Sequence, residues 1–185
     1  KLIDKYEIGE KKGNIFVKIL KSQQKIEIYK IPTLVELAKD YLENGFSIVI
    51  FVNFTKTLDE LKKLLKTDCI IYGQQTLIQR NNNIEDFQND KKRIIICNIK
   101  AGGVGISLHD INGKYPRVSF ISPTWDSIDL VQAFGRIHRA NGKSKSLQRI
   151  VYASNTIEEK ICDKLKIKLK NIDTLNNGDL NLNNI

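Results

Sequence analysis

The sequence predicts an α/β domain: a parallel β-sheet flanked by helices on both faces. Short runs rich in β-branched residues alternate along the chain with longer helical patterns, and the links between them are short. One of the runs, Ile48-Val49-Ile50-Phe51-Val52, is apolar without interruption, as expected of a strand that a parallel sheet buries on both sides. At 185 residues the chain suits a single domain that buries about 70% of its unfolded surface.

The elements follow in order. Residues 1–30 mix apolar and Lys-rich character and are expected to form a linker or connecting arm. Pro32-Thr33 marks a helix start, with Thr33 as cap and Glu36 three residues on, and the helix runs from Thr33 to Glu43. After the Ile48–Val52 strand comes a helix from Thr55 to Leu65, for which Asn53 and Thr55 read most simply as the cap. Ile70-Ile71-Tyr72 is a short strand and Thr76 to Phe87 a helix; Arg93–Cys97 and Val118–Ile121 are strands. A helix from Asp126 to roughly Arg139, a strand at Arg149–Tyr152 and a closing helix from Thr156 to Ile172 complete the domain, which spans 31–172. Lys160, Lys164, Lys166, Lys168 and Lys170 on the closing helix read as a solvated face. From Asn176 onward five of ten residues are Asn, so 173–185 is expected to be a poorly ordered tail.

Composition narrows the function. With 41% hydrophobic and 28% charged residues the chain reads as an ordinary soluble globular protein, and its net charge of +9 favours a polyanionic partner. No apolar run approaches transmembrane length and no signal-peptide pattern opens the chain, so no membrane role is expected. The first residue is Lys1 rather than Met, and the chain is read as a fragment. Cys69, Cys97 and Cys162 are odd in number, far apart and not joined by His109 or His138 into any zinc-ligand spacing. No metal site is expected in this chain, and the setting is an intracellular, reducing compartment.

Two segments carry chemistry. In Gln132-Ala133-Phe134-Gly135-Arg136-Ile137-His138-Arg139, helical spacing puts Gln132, Gly135, Arg136 and Arg139 on one face. Only six of the 30 Lys and Arg residues are Arg, and two of the six lie here. A planar, always-protonated fork suits a phosphate better than Lys does; on spacing alone a solvated basic helix remains the competing reading. The second segment, Lys100-Ala101-Gly102-Gly103-Val104-Gly105, directly follows the Arg93–Cys97 strand. Three glycines at a strand's carboxyl end can cradle a phosphate or merely turn the chain. Ligand loops of such sheets gather at one edge, so both segments can face one crevice. Gly142-Lys143-Ser144 imitates the end of a P-loop, but Ile137 stands where G-x-x-x-x-G-K-S/T needs glycine. No Asp-Glu pair follows an apolar strand to hold magnesium.

The motifs in register resemble those of the second RecA-like lobe of superfamily 2 helicases, above all of SNF2-family DNA translocases. Ile50-Phe51-Val52-Asn53-Phe54-Thr55 with Leu58-Asp59 resembles motif IV; Tyr72-Gly73, Arg80 and Phe87 resemble the next segment. Lys100 to Leu108 resembles motif V, Pro123-Thr124-Trp125 the Trp-containing segment, and Gln132 to Arg139 motif VI; Thr156 to Ile161 resembles the helix start that follows. Three positions depart: Ile99 replaces the usual Thr, Ser107 the usual Asn, and Arg139-Ala140-Asn141-Gly142 the usual Arg-x-Gly-Gln.

The resemblance implies the C-terminal lobe of an ATP hydrolase that acts as helicase or translocase, with ATP and Mg2+ bound in a cleft shared with an N-terminal RecA-like lobe of the same protein. It implies that Arg136 and Arg139 act as catalytic arginine fingers and that Gln132 and Gly105 lie on the nucleotide. It implies that Asn53, Thr55, Gly73, Arg80, Lys100, Ala101, Gly102, Gly103 and Trp125 lie on DNA, or on RNA in an RNA helicase. The fragment alone is expected to bind no cofactor and to be inactive. A stand-alone nucleic-acid-binding module is the rival from another class, and intact Gln132, Arg136 and Arg139 weigh against it.

Overall fold

In the computed structural model, which describes residues 2–102 and 105–175, the elements run α1 (Leu2–Tyr29), α2 (Ile31–Glu43), β1 (Ser47–Val52), α3 (Thr55–Leu64), β2 (Ile70–Ile71), α4 (Leu77–Gln88), β3 (Ile94–Asn98), α5 (Ile99–Gly102), β4 (Arg117–Ile121), α6 (Ser127–Ile137), β5 (Leu147–Ile150) and α7 (Ile157–Leu175). Five strands form one sheet among these residues, ordered β2-β3-β1-β4-β5, and every pairing is parallel. β1 is central: Ile48 lies opposite both Ile94 and Val118.

The twofold period of a strand divides its side chains between two cores. Val49 and Phe51 of β1, Ile95 and Cys97 of β3, and Ile121 of β4 join Phe87 of α4, Leu130, Ala133 and Ile137 of α6, and Ile161 and Leu165 of α7. Ile48, Ile50 and Val52, with Ile96, Val118 and Phe120, join Leu34 and Ala38 of α2 and Leu58 and Leu61 of α3. Each face is thus covered by helices, as the uninterrupted apolar run requires. At the amino end of β4, far from the loops that follow the strands, Arg117 is fully buried. It pairs with Asp90 at 2.9 Å and lies 4.7 Å from the Phe87 ring centroid.

Local boundaries differ from the sequence reading in five places, each for a physical reason. Residues 2–29 are helical, and the last two turns of α1 pack into the domain through Gln23 and Glu27, both buried. α2 begins at Ile31, with Lys30 at its cap position and Pro32 in the first turn, where a missing N–H is harmless. Thr33 therefore sits inside the helix and does not cap it. β5 begins two residues earlier than expected, since Leu147 pairs with Val118. The glycine segment starts as one helical turn, α5, rather than as an open loop. α6 stops at Ile137, because His138 adopts extended angles of φ −106° and ψ 116°. The expected Asn-rich tail from Asn176 lies outside the described residues.

Candidate nucleotide and nucleic-acid site

In a parallel sheet every strand delivers its carboxyl end to the same edge, so the loops after β1, β2 and β3 meet there. A groove of about 560 Å³ opens at that edge, lined by Thr55, Tyr72, Gly73, Gln74, Asn98, Lys100 and Ala101. Four residues that the sequence assigned to nucleic acid (Thr55, Gly73, Lys100 and Ala101) therefore share one wall. Thr55 and Lys100 are exposed. α3 is capped at Phe54 without any side-chain bond, so neither Asn53 nor Thr55 is spent as a cap. The Asn53 amide nitrogen instead donates to Glu27 Oε2 at 2.9 Å and to the Pro123 carbonyl at 2.8 Å, beneath the groove.

Asn98 ends β3 and organises the turn into α5. Its Nδ2 donates to the Asn53 carbonyl at 3.1 Å, and its Oδ1 accepts the Lys100 N–H at 3.2 Å. Ile99, in place of the motif's Thr, is 1% exposed and belongs to the core, so the groove takes its polar groups from other residues, among them Asn98, Thr55 and Lys100. Gly102 closes α5, and Gly103 lies outside the described residues. Tyr72, Gln74 and Asn98 were missed from sequence. The available signal was that each follows or ends a buried strand, where ligand loops collect.

α4 supports the segment that follows from both ends. A capping box starts the helix: Thr76 accepts the Gln79 N–H and the Gln79 side chain accepts the Thr76 N–H. Arg80 Nη2 then donates to the Ala101 carbonyl, and at the far end Gln88 Nε2 donates to the Ser107 carbonyl. Arg80 is half-buried and is held against α5 at the back of the groove wall.

α6 carries the other half of the site. Asp126 caps it by accepting the Ile128 N–H at 2.8 Å. Leu130, Ala133 and Ile137 face the core, while Gln132 and Gly135 are exposed. Arg136 is half-buried; its Nη1 donates to the Ile106 carbonyl at 3.1 Å, and its own carbonyl accepts the Leu108 N–H at 2.8 Å. Gly105, next to that contact, holds φ +66°, a left-handed angle that glycine adopts without strain. Burial first, then the nearby Arg139 and Arg80, hold the Arg136 guanidinium below its ordinary pKa. Arg139 and Arg80 thus both lie within electrostatic reach of Arg136.

Arg139 does not share the helix face with Gln132, Gly135 and Arg136, because α6 has already ended. It is exposed, on a turn closed by the Gly142 N–H on its carbonyl at 3.0 Å and held to the loop before β4 by the Lys143 N–H on the Asp110 carbonyl at 2.8 Å. Trp125 is half-buried against the core and does not line the groove; Lys164 Nζ lies 5.6 Å from its ring centroid and Lys168 Nζ 3.5 Å from its carbonyl oxygen. Among the described residues no three His, Cys, Asp or Glu side chains gather where they could hold a metal, and no helix is long and apolar enough to cross a membrane. Burial pushes the Cys69 thiol up to about 12 and Cys162 up to about 11, which keeps both protonated.

Residues 29–141 match the helicase conserved C-terminal domain. A putative ATP-dependent RNA helicase of Acanthamoeba polyphaga mimivirus is 46% identical over 178 residues, covering 94% of this chain and 33% of the viral protein. The human SWI/SNF-related matrix-associated actin-dependent regulator of chromatin subfamily A member 1 is 29% identical over 147 residues, covering 76% of this chain and 14% of that protein. The solved C-terminal part of the Fun30 ATPase domain superposes with a TM-score of 0.61 at 30% identity, covering 72% of this chain and 44% of that one. The chain spans a third or less of the length of these curated relatives. Family, sheet order and motif placement agree: the chain belongs to the helicase conserved C-terminal domain family, as a second RecA-like lobe of superfamily 2 similar to the SNF2-family helicases.

Proposed function

We propose that this lobe is the second motor half of an ATP-dependent DNA translocase or helicase. ATP lies between it and an N-terminal RecA-like lobe, and the nucleic-acid backbone lies in the groove. The observation that supports this reading is that one segment, residues 99–108, is held at Ala101, in the groove wall, by Arg80 and at Ile106 by Arg136. A strand pressing on Lys100 and a phosphate drawing on Arg136 thus act on the same short piece of chain. Lys100 supplies a cation and Thr55 a hydroxyl, groups suited to phosphate and sugar rather than to base edges, so little sequence preference is expected.

Arg136, fixed by Ile106, and Arg139, on its exposed turn, offer guanidiniums to the γ-phosphate as charge develops. Such a finger contributes about 10³–10⁵ in rate, or roughly 4–7 kcal/mol. Gln132, exposed one turn before Arg136, and Gly105, next to the Arg136 contact at Ile106, are assigned to the nucleotide. The Mg2+ that accompanies ATP would neutralise phosphate charge, and no residue of this chain is assigned to it.

The test is nucleic-acid-stimulated ATP hydrolysis by the protein with both lobes present. Arg139→Lys keeps the charge and loses the fork, so turnover should fall about 100-fold or more while nucleic-acid affinity holds. Lys63→Ala, at an exposed Lys paired only with Glu60 within its own helix, is the control. Normal turnover in Arg139→Lys would remove the finger reading, and no turnover in the unaltered protein would leave a non-catalytic binding module. The viral relative's description as an RNA helicase favours a second reading. Stimulation by RNA and not by DNA would select it.

A further inference from the structure

α1 presents an unusual buried face. Gln23, Glu27 and Lys30, spaced four and three apart on one side of the helix and its exit, are 2%, 0% and 6% exposed, and all are polar. Each takes hold of a different loop at the carboxyl edge. Gln23 Nε2 donates to the Pro123 carbonyl at 3.1 Å, in the loop between β4 and α6. The Glu27 carboxylate accepts the Asn53 N–H and Nδ2, both at 2.9 Å, and the Phe54 N–H at 3.1 Å, in the turn between β1 and α3. Lys30 Nζ donates to the Val151 carbonyl at 2.8 Å, after β5, and pairs with the fully buried Glu158 of α7 at 2.8 Å.

Burying such groups is a poor way to gain stability, since an apolar face of the same shape would serve as well or better. What directional bonds add is placement. From Glu27 the bonds continue without a break: Glu27 to Asn53, the Asn53 carbonyl to Asn98 Nδ2, and Asn98 Oδ1 to the Lys100 N–H. Two members of that series, Asn98 and Lys100, line the groove. We propose that Glu27 is a positioning residue for the nucleic-acid groove, acting through Asn53 and Asn98, and that α1 thereby sets the shape of the groove from outside it. The proposal rests on the groove being the nucleic-acid track. On this view Asn53 serves the strand by holding the wall, and its side-chain amide does not itself touch the strand.

The test uses the two-lobed protein and a synthetic oligonucleotide, reading both the half-saturating oligonucleotide concentration and the maximal stimulated ATPase rate. Glu27→Gln puts an N–H2 where three donors converge, so half-saturation should rise about tenfold while the maximal rate stays within about twofold. A role in folding alone would do the reverse, lowering the maximal rate by loss of active protein and leaving half-saturation in place. Glu27→Asp keeps the charge with a shorter reach and should move half-saturation less; it also serves if Glu27→Gln fails to fold. Combined with Asn53→Ala, Glu27→Gln should cost no more than the larger single effect, because the two act in series. Fully additive effects would overturn the proposal. Lys100→Ala separates the two readings. If it raises half-saturation and neither Glu27 variant does, the positioning role is wrong and the groove stands; if none of the three does, the groove reading falls and the proposal with it.

Discussion

His109 is 7% exposed, and neither ring nitrogen has a hydrogen-bond partner among the described residues. Burial first, then Arg139 and Arg117, lower its pKa below the usual 6.5, and only the adjacent Asp110 pulls the other way. The folded state therefore favours the neutral ring, which limits the positive charge near Arg139. The sign of the pH effect follows. Above pH 6.5 both folded and unfolded chains carry neutral His109, and it contributes no pH dependence. As the pH falls below 6.5 the unfolded chain takes up a proton that the folded chain resists, and stability is lost until the lowered folded pKa is passed. His109→Gln should lose less stability than the unaltered protein between pH 7 and pH 5, read as the change in thermal midpoint. Equal losses in both would place the acid sensitivity elsewhere.

Among the elements, α4 has the most to reveal because it braces the groove wall without lining the groove. Its capping box satisfies two N–H groups that would otherwise lack partners, and Thr76→Ala should cost about 1 kcal/mol in chemical denaturation. An unchanged denaturation midpoint would mean that Arg80, through its bond to the Ala101 carbonyl, holds the helix start without the box. The elements also differ in how readable they were. β1 and β3 were legible because burial on both faces writes an apolar run, and β4 because Val118, Phe120 and Ile121 keep most of one. α1 was not, because its buried side is Gln23, Glu27 and Lys30, which no hydrophobic period detects. The end of α6 was missed because Ile137 keeps the apolar spacing to the last helical residue, while the turn at His138 depends on tertiary contacts such as Lys143 to Asp110. β5 slipped in register because it is half-buried along most of its length. For the site, residues that motif patterns specify (Lys100, Arg136, Gly73) could be named in advance. Tyr72, Gln74 and Asn98 owe their place to topology, which brings three strand ends together.

For the molecule as a whole, charge sets the expected response to salt. A net +9 with Lys100 in the groove and Arg80 at its wall predicts nucleic-acid binding that depends on counterion release. If about three to five phosphates are neutralised, log affinity should fall against log salt with a slope of about −2 to −4.5. Anisotropy titrations with a labelled oligonucleotide between low and physiological salt measure it, and a flat line would exclude backbone contact as the main attraction. The order β2-β3-β1-β4-β5 has another consequence, one for the timing of folding. β2, the next strand in sequence, pairs only with β3, so β1 must wait for Ile94 on one side and Val118 on the other. Until both arrive, Ile48–Val52 keeps at least one edge open along a run of β-branched and aromatic residues without a charge, the kind of segment that aggregates when left unpaired. A ribosome that pauses before Val118 would hold the centre of the sheet in that state, which makes the glycine-rich stretch and the loop after it the interval of greatest risk in the synthesis of this lobe.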